Sequence, residues 1–211
     1  MILNKDKENL KNIFGFDKYK NGQQEIIKEI LNGKDILTVM PTGGGKSLCY
    51  QLPATLRDGI TIVVSPLIAL MQSQVSQLKL LGIKSGCLNS SNSENENKKI
   101  INMLESNELK MLYLAPERLI KKETIKLLKT KKISLLAIDE AHCVSQWGHD
   151  FRKEYLKLGE IRKELSMVQT IALTATADET TRNEIVDKIF PKKPSIFIAG
   201  FDRPNIYLSM L

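Results

Sequence analysis

Apolar runs of strand length alternate with helix-like stretches along nearly the whole chain, and this alternation most restricts the fold. The runs are Ile36–Val39, Ile60–Val64, Ile83–Leu88, Met111–Leu114, Ile133–Ile138, Thr170–Leu173 and Ile196–Ala199. Between most of them lie stretches with helical character: Gly22–Leu31, Lys46–Leu56, Leu67–Leu81, Glu94–Glu105, Pro116–Lys129, Glu154–Leu165 and Asp178–Phe190. Strands interleaved with helices predict an α/β fold with a mainly parallel sheet covered on both faces, since each parallel pair needs a long crossover. Ile60-Thr-Ile-Val-Val64 is apolar without alternation, as expected of a strand buried on both sides. No linker, repeat or coiled coil divides the chain.

The first strand-to-helix junction carries chemistry. Met40-Pro-Thr-Gly-Gly-Gly-Lys-Ser47 follows the run Ile36–Val39 and leads into a helix. Consecutive glycines reach backbone angles closed to other residues, so successive N–H groups can converge on one anion. A helix starting near Lys46 adds its positive end. The segment therefore reads as a phosphate cradle built from Thr42, Gly43, Gly44 and Gly45. Lys46 supplies a charge for the outer phosphates and Ser47 a hydroxyl for Mg²⁺. Met40 stands where such loops usually begin with glycine. A plain glycine turn with an incidental lysine is the competing interpretation.

The run Leu135-Leu-Ala-Ile138 ends in Asp139-Glu140-Ala141-His142. A buried strand of this kind delivers two carboxylates to its C-terminal edge, where open parallel sheets bind ligands. Asp139 suits a Mg²⁺ held through water, and Glu140 suits orienting and deprotonating an attacking water. Helix capping by Asp-Glu is the commoner outcome for the dipeptide alone; the glycine loop upstream makes it the minor one here.

The 211 residues are enough for one sizeable core, and their formal charge is +7 with a pI near 9.2. That balance favours polyanions, although lysine-rich genome composition explains it equally well. Three widely spaced cysteines, Cys49, Cys87 and Cys143, show neither zinc spacing nor a disulfide framework and suit a reducing compartment. The N-terminus lacks a signal-peptide core and no apolar run spans a bilayer, so a soluble, cytoplasmic protein is expected.

Taken together, the motifs resemble those of RecQ-family DNA helicases, in the DEAH-bearing part of helicase superfamily two. The matching stretches are Phe14-Gly-Phe16 through Gly22-Gln-Gln-Glu-Ile-Ile27, Met40–Tyr50, Ser65–Gln72, Tyr113–Leu119, Asp139–Tyr155, Leu173–Asp178 and Phe201–Ile206. They run in the family's order over nearly the whole chain, and Asp139 to Arg152 is very specific. The resemblance implies a RecA-like P-loop domain, the first of two such motor domains. It implies 3′-to-5′ translocation on single-stranded DNA driven by ATP and Mg²⁺, in repair or recombination. Residues 1–21 would form a helical and adenine-recognition segment, and 201–211 the start of the connection to a second domain. Nothing like that second half follows, so the chain reads as a piece of something larger.

Further roles follow from the same resemblance. Gln23 would read adenine, an edge that an amide matches as both donor and acceptor, with Phe16 and Lys20 sandwiching the ring. The family usually has Tyr at the place of Phe16 and Arg at that of Lys20. Phe16 still stacks, whereas Lys20 keeps a cation without the planar guanidinium. Phe14 is expected to anchor its helix to the core. His142 would couple the ATP site to Thr174-Ala-Thr176. Gln146, Trp147, His149, Phe151 and Arg152 lie in an aromatic-rich loop suited to stacking bases without regard to sequence. Ser65 would open a helix and meet a DNA phosphate, or simply cap it; the family commonly has Asp where Ser73 stands. Two other readings stay open: an RNA helicase of the same superfamily, and a binding module with an inactive nucleotide site.

Overall fold

The computed structural model describes residues 2–20, 22–145 and 150–199. Nine α-helices and seven strands are seen among them: α1 Ile2–Asn12, α2 Gln23–Leu31, β1 Ile36–Val39, α3 Leu48–Leu56, β2 Ile60–Val64, α4 Ile68–Leu80, β3 Ser85–Leu88, α5 Glu94–Glu105, β4 Met111–Leu114, α6 Pro116–Leu119, α7 Lys122–Leu128, β5 Ile133–Ile138, α8 Leu158–Glu164, β6 Thr170–Thr174, α9 Glu179–Ile189 and β7 Ser195–Ile198. Short 3₁₀ turns at Ala141–Val144 and Tyr155–Lys157 precede α8. The strands form one sheet in the order β3-β4-β2-β5-β6-β1-β7. All its pairings are parallel. The expected α/β fold, a mainly parallel sheet flanked by helices, is the observed one.

Strand alternation divides the core into two layers. Ile36, Val63, Met111, Leu135 and Ile171 pack with Ile26 and Ile30 of α2, Cys49 and Tyr50 of α3, and Met71, Val75 and Leu78 of α4. Leu37, Ile62, Leu112, Leu136 and Ala172 pack on the other face with residues of α5 to α9. A third cluster, Leu10, Ile27, Leu48 and Leu52, seats α1 against α2 and α3, with Phe14 packed beside it as expected of an anchor. Since i and i+2 share a face of a strand, these unbroken apolar runs can only be satisfied with both faces covered.

Among the boundaries that differ from the sequence-based expectation, three have a physical reason in the fold. The helix expected over Pro116–Lys129 is broken at Lys121, whose ψ of 131° is extended. Leu119 and Leu128 are both fully buried, yet nine residues apart on one straight helix they would face opposite sides, about 180° apart at 3.6 residues per turn. The break lets both reach the core, and Arg118 pairs with Glu123 across it at 3.2 Å. The stretch from Glu154 begins as a 3₁₀ turn before α8, which stacks Tyr155 over Leu158 at i, i+3. Finally, Ile83 closes α4 instead of starting β3. Its N–H bonds Leu78 O at 2.9 Å while Gly82, at φ 75°, bonds Lys79 O at 3.0 Å. That double bond is the usual glycine-dependent helix stop.

Candidate active site

The strand order places the two motif loops at one sheet edge. β6 separates β1 from β5, so the C-terminal ends of β1 (Met40), β6 (Thr174) and β5 (Asp139) lie in sequence along the edge. The backbone ties them there: Met40 N–H donates to Thr174 O at 3.0 Å, and Asp139 N–H to Val64 O at 2.8 Å.

The glycine loop is bonded to itself and to the segment before α2. Gly43 and Gly45 hold φ of 81° and 83°, and Gly44 N–H donates to Pro41 O at 2.9 Å. Lys46 Nζ folds back on Met40 O at 3.1 Å, and Lys20 Nζ donates to Gly43 O at 2.8 Å. Gln23, only 2% exposed, donates from Nε2 to Gly45 O at 3.0 Å while its Oε1 accepts from Lys20 N–H at 2.7 Å. Thus the amide expected to meet adenine bridges the two segments instead. Phe16 is 50% exposed. Thr42 is exposed and Ser47 half-buried. The close approach requires glycine: a Cβ on Gly45 would lie 2.3 Å from Gln23 Nε2, and one on Gly44 2.9 Å from Pro41 O.

The acidic turn is built differently. Asp139 is 7% exposed, and its carboxyl is pushed up to about 6, first by burial and then by the neighbouring Glu140 charge. The Glu140 N–H donated to Oδ1 at 3.1 Å and the charge of Lys46 act in the opposite sense. Glu140 itself sits at φ 48°, ψ 47°, left-handed and without glycine's freedom. Next to it, His142 Nδ1 lies 2.9 Å from Thr174 Oγ1 and 3.4 Å from Glu140 Oε2, and Nε2 lies 3.6 Å from Asp150 Oδ2. Thr174 has one hydroxyl proton, which it donates to Thr176 O at 2.9 Å. His142 Nδ1 must therefore be the donor in its contact with Thr174, which fixes a proton on that nitrogen.

One contributor escaped the sequence reading. Tyr155, fully buried, donates its hydroxyl to Asp139 O at 2.9 Å. It is held by its own N–H on Arg152 O, and Arg152 N–H bonds Cys143 O, both at 2.9 Å. Nothing in Phe151-Arg-Lys-Glu-Tyr155 distinguishes this tyrosine from an ordinary core aromatic.

Of the nucleic-acid candidates, Gln146, Trp147 and His149 lie outside the described residues, as do residues 200–211. Phe151 is 38% exposed and Arg152 half-buried. Ser65 follows β2 on the same edge as Asp139 but is 2% exposed, and its Oγ has no hydrogen-bond partner among the described residues. α4 starts three residues later, behind Leu67, so Ser65 precedes the helix rather than opening it.

The DEAD/DEAH box helicase family model matches residues 20–185. This chain belongs to that family. Within it, the motor domain is of the RecQ type. It is 47% identical over 197 residues to the ATP-dependent DNA helicase RecQ of Haemophilus influenzae, covering 93% of this chain and 32% of that protein. It is 44% identical over 207 residues to the probable ATP-dependent DNA helicase RecS of Bacillus subtilis, covering 98% of this chain and 41% of the relative. The helicase domain thus spans about a third to two fifths of the length of these relatives. Its fold matches the Mycobacterium smegmatis helicase Lhr bound to ssDNA and AMP-PNP with a TM-score of 0.70, at 21% identity over 89% of this chain and 26% of that one. No helix among the described residues is long and apolar enough to cross a membrane.

Proposed function

We propose that the chain is the ATP-binding motor domain of a DNA helicase, working with a second RecA-like domain to move 3′ to 5′ along single-stranded DNA in the cytoplasm. The observation that carries this reading is the pairing of a glycine loop at the end of β1 with a buried Asp-Glu at the end of β5, bridged through β6 by His142 and Thr174.

The residues fit a magnesium nucleotide. Moving the Gln23, Lys20 and Lys46 side chains off the loop carbonyls would free the space beside Gly45, which a Cβ there would enter. Ser47 and Asp139 are oxygen donors of the kind Mg²⁺ takes while keeping several waters. Bound Mg²⁺·ATP would supply the electrophilic phosphorus and the cation that spreads its charge.

The chain's own groups then divide the work. Lys46 would exchange Met40 O for the outer phosphates. Gln23 would exchange Gly45 O for the adenine edge, with Phe16 and Lys20 on the ring faces. Asp139 would face such a cation ionised, since nearby positive charge offsets what burial does to the carboxyl. Glu140 would hold the attacking water and take its proton. The bond from His142 to Thr174 would report the state of that water to the segment that follows β6, where Thr174 bonds Thr176. Phe151 and Arg152 would contact the strand of DNA, and Tyr155 would tie the same loop to Asp139. The second domain would close the cleft and bring an arginine to the developing charge.

The test is ATP hydrolysis by the chain joined to its second motor domain, without nucleic acid, with single-stranded DNA and with single-stranded RNA, each beside Lys46→Ala. Stimulation by DNA that vanishes in the variant is expected. Equal or greater stimulation by RNA would move the protein to the RNA helicases, and hydrolysis indifferent to Lys46 would defeat the proposal. The 211-residue chain alone is expected to hydrolyse ATP poorly and to unwind nothing.

A further inference from the structure

A buried carboxylate in α1 has no part in the chemistry above. Asp6 is 4% exposed, and its Oδ2 accepts the Tyr19 hydroxyl at 2.8 Å. Its Oδ1 has no hydrogen-bond partner among the described residues. Tyr19 is half-buried and packs on the cluster of Leu10, Ile27, Leu48 and Leu52. Burial first, and the Asp6 contact second, hold its phenol well above the usual range, so Tyr19 keeps its proton and stays the donor.

This bond fixes a segment that has no regular structure of its own. Residues 13–20, between α1 and α2, form neither helix nor strand. At one end Phe16 N–H donates to Leu10 O at 3.1 Å, and at the other Lys20 N–H donates to Gln23 Oε1 at 2.7 Å. Between them the Lys11–Asp17 ion pair, at 3.5 Å, joins side chains 71% and 80% exposed, so it holds little. Tyr19 is thus the firm point directly before Lys20. α1 is itself tied to α3, the helix that follows the glycine loop, by Asn9 Nδ2 donating to Thr55 Oγ1 at 2.9 Å. Without the Tyr19 hydroxyl, both oxygens of a buried carboxylate would lack a partner, and Asp6 would have to turn toward water. The segment would then be ordered only when a base arrives, and that ordering subtracts from affinity.

We infer that Asp6 and Tyr19 are positioning residues for the nucleobase: they fix the 13–20 segment on α1, so that Phe16, Lys20 and the Gln23 amide stand ready for adenine. The phosphate loop keeps its own bonds, from Lys46 to Met40 O and from Gly44 to Pro41 O, without them. The inference rests on the adenine reading of Gln23 given above.

Its test separates base from phosphate. A ribose-labelled fluorescent ATP analogue bound to the chain is displaced with Mg²⁺·ATP or with inorganic tripolyphosphate, at a temperature where circular dichroism shows each variant folded. In the wild type ATP should displace it better than tripolyphosphate, and Gln23→Ala should lose that preference. Tyr19→Phe and Asp6→Leu should each weaken ATP about five-fold and leave tripolyphosphate within about two-fold. The double variant should be no weaker than either single one, since one bond joins the pair. Asp6→Asn keeps an acceptor for the phenol and should hold ATP within about two-fold of wild type. ATP and tripolyphosphate weakened alike, or ATP affinity unchanged in both Tyr19→Phe and Asp6→Leu, would overturn the inference. If the wild type has no preference for ATP, or keeps it in Gln23→Ala, the adenine reading itself fails and the inference falls with it.

Discussion

The two loops facing each other across β6 solve opposite problems. The glycine loop reaches positive φ at Gly43 and Gly45 without steric cost, and its carbonyls are occupied by Lys46, Lys20 and Gln23. The acidic turn reaches positive φ at Glu140, a residue for which the left-handed region costs about 1–2 kcal/mol, and it buries a carboxyl. One loop is relaxed when empty and must exchange internal bonds for ligand. The other carries strain and desolvation in its resting form, as sites set up to act on a ligand often do. Electrostatics binds them, because the charge of Lys46 is one of the few influences favouring ionised Asp139.

Breaking each side should therefore give a different signature. The largest effect is expected from Lys46→Ala or Glu140→Gln in the two-domain enzyme: DNA-stimulated hydrolysis should fall roughly 10²–10³-fold, the scale of losing one preorganised group at developing charge. Steady-state ATPase assays with folding checked by circular dichroism would show it. A fall in melting temperature that accounts for the loss would argue instead for a structural role.

Asp139→Asn should behave in reverse, gaining stability while losing magnesium-dependent activity. Its carboxyl is raised from 3.8 to about 6 in the fold, so the folded state holds the proton more tightly than the unfolded chain. Stability then falls as pH rises through that window and stays low above it. The neutral amide avoids this and keeps the acceptor for Glu140 N–H. A gain of about 1–3 kcal/mol at pH 7.5 is expected, shrinking toward zero as pH approaches 4. Urea unfolding at several pH values measures it, and a gain independent of pH would contradict the account.

On the other loop, Gly45→Ala should cost at least about 1–2 kcal/mol from its positive φ and push Gln23 off Gly45 O. Thermal denaturation and nucleotide titration together separate those parts. Smallest is Tyr155→Phe, which leaves the buried Asp139 carbonyl without its hydroxyl partner and should cost about 1 kcal/mol. If Tyr155 also ties the aromatic-rich loop to the acidic turn, stimulation by DNA should drop more than the basal rate.

The contrast also explains what could be read from the sequence. Strands such as Ile60–Val64 and Ile133–Ile138 appear at their expected bounds because burial on both faces leaves an unbroken apolar run. The two motifs were visible because their chemistry lies in short local spacing. What was hidden depends on distant partners. Gln23 has an amide suited to adenine, but only the fold shows that amide bonded to Gly45. Tyr155 looks like a routine core residue until the fold sets its hydroxyl on Asp139 O. The break at Lys121 carries no Gly or Pro and is set by the demand of Leu119 and Leu128 for the same core.

The structure of this chain bound to Mg²⁺ and a non-hydrolysable ATP analogue tests the central contrast most directly. Lys46 Nζ should have left Met40 O and Gln23 should have released Gly45 O. The left-handed Glu140 and the Tyr155 bond to Asp139 O should stand unchanged. An analogue seated on an unaltered glycine loop, or an acidic turn that refolds to receive it, would contradict the account.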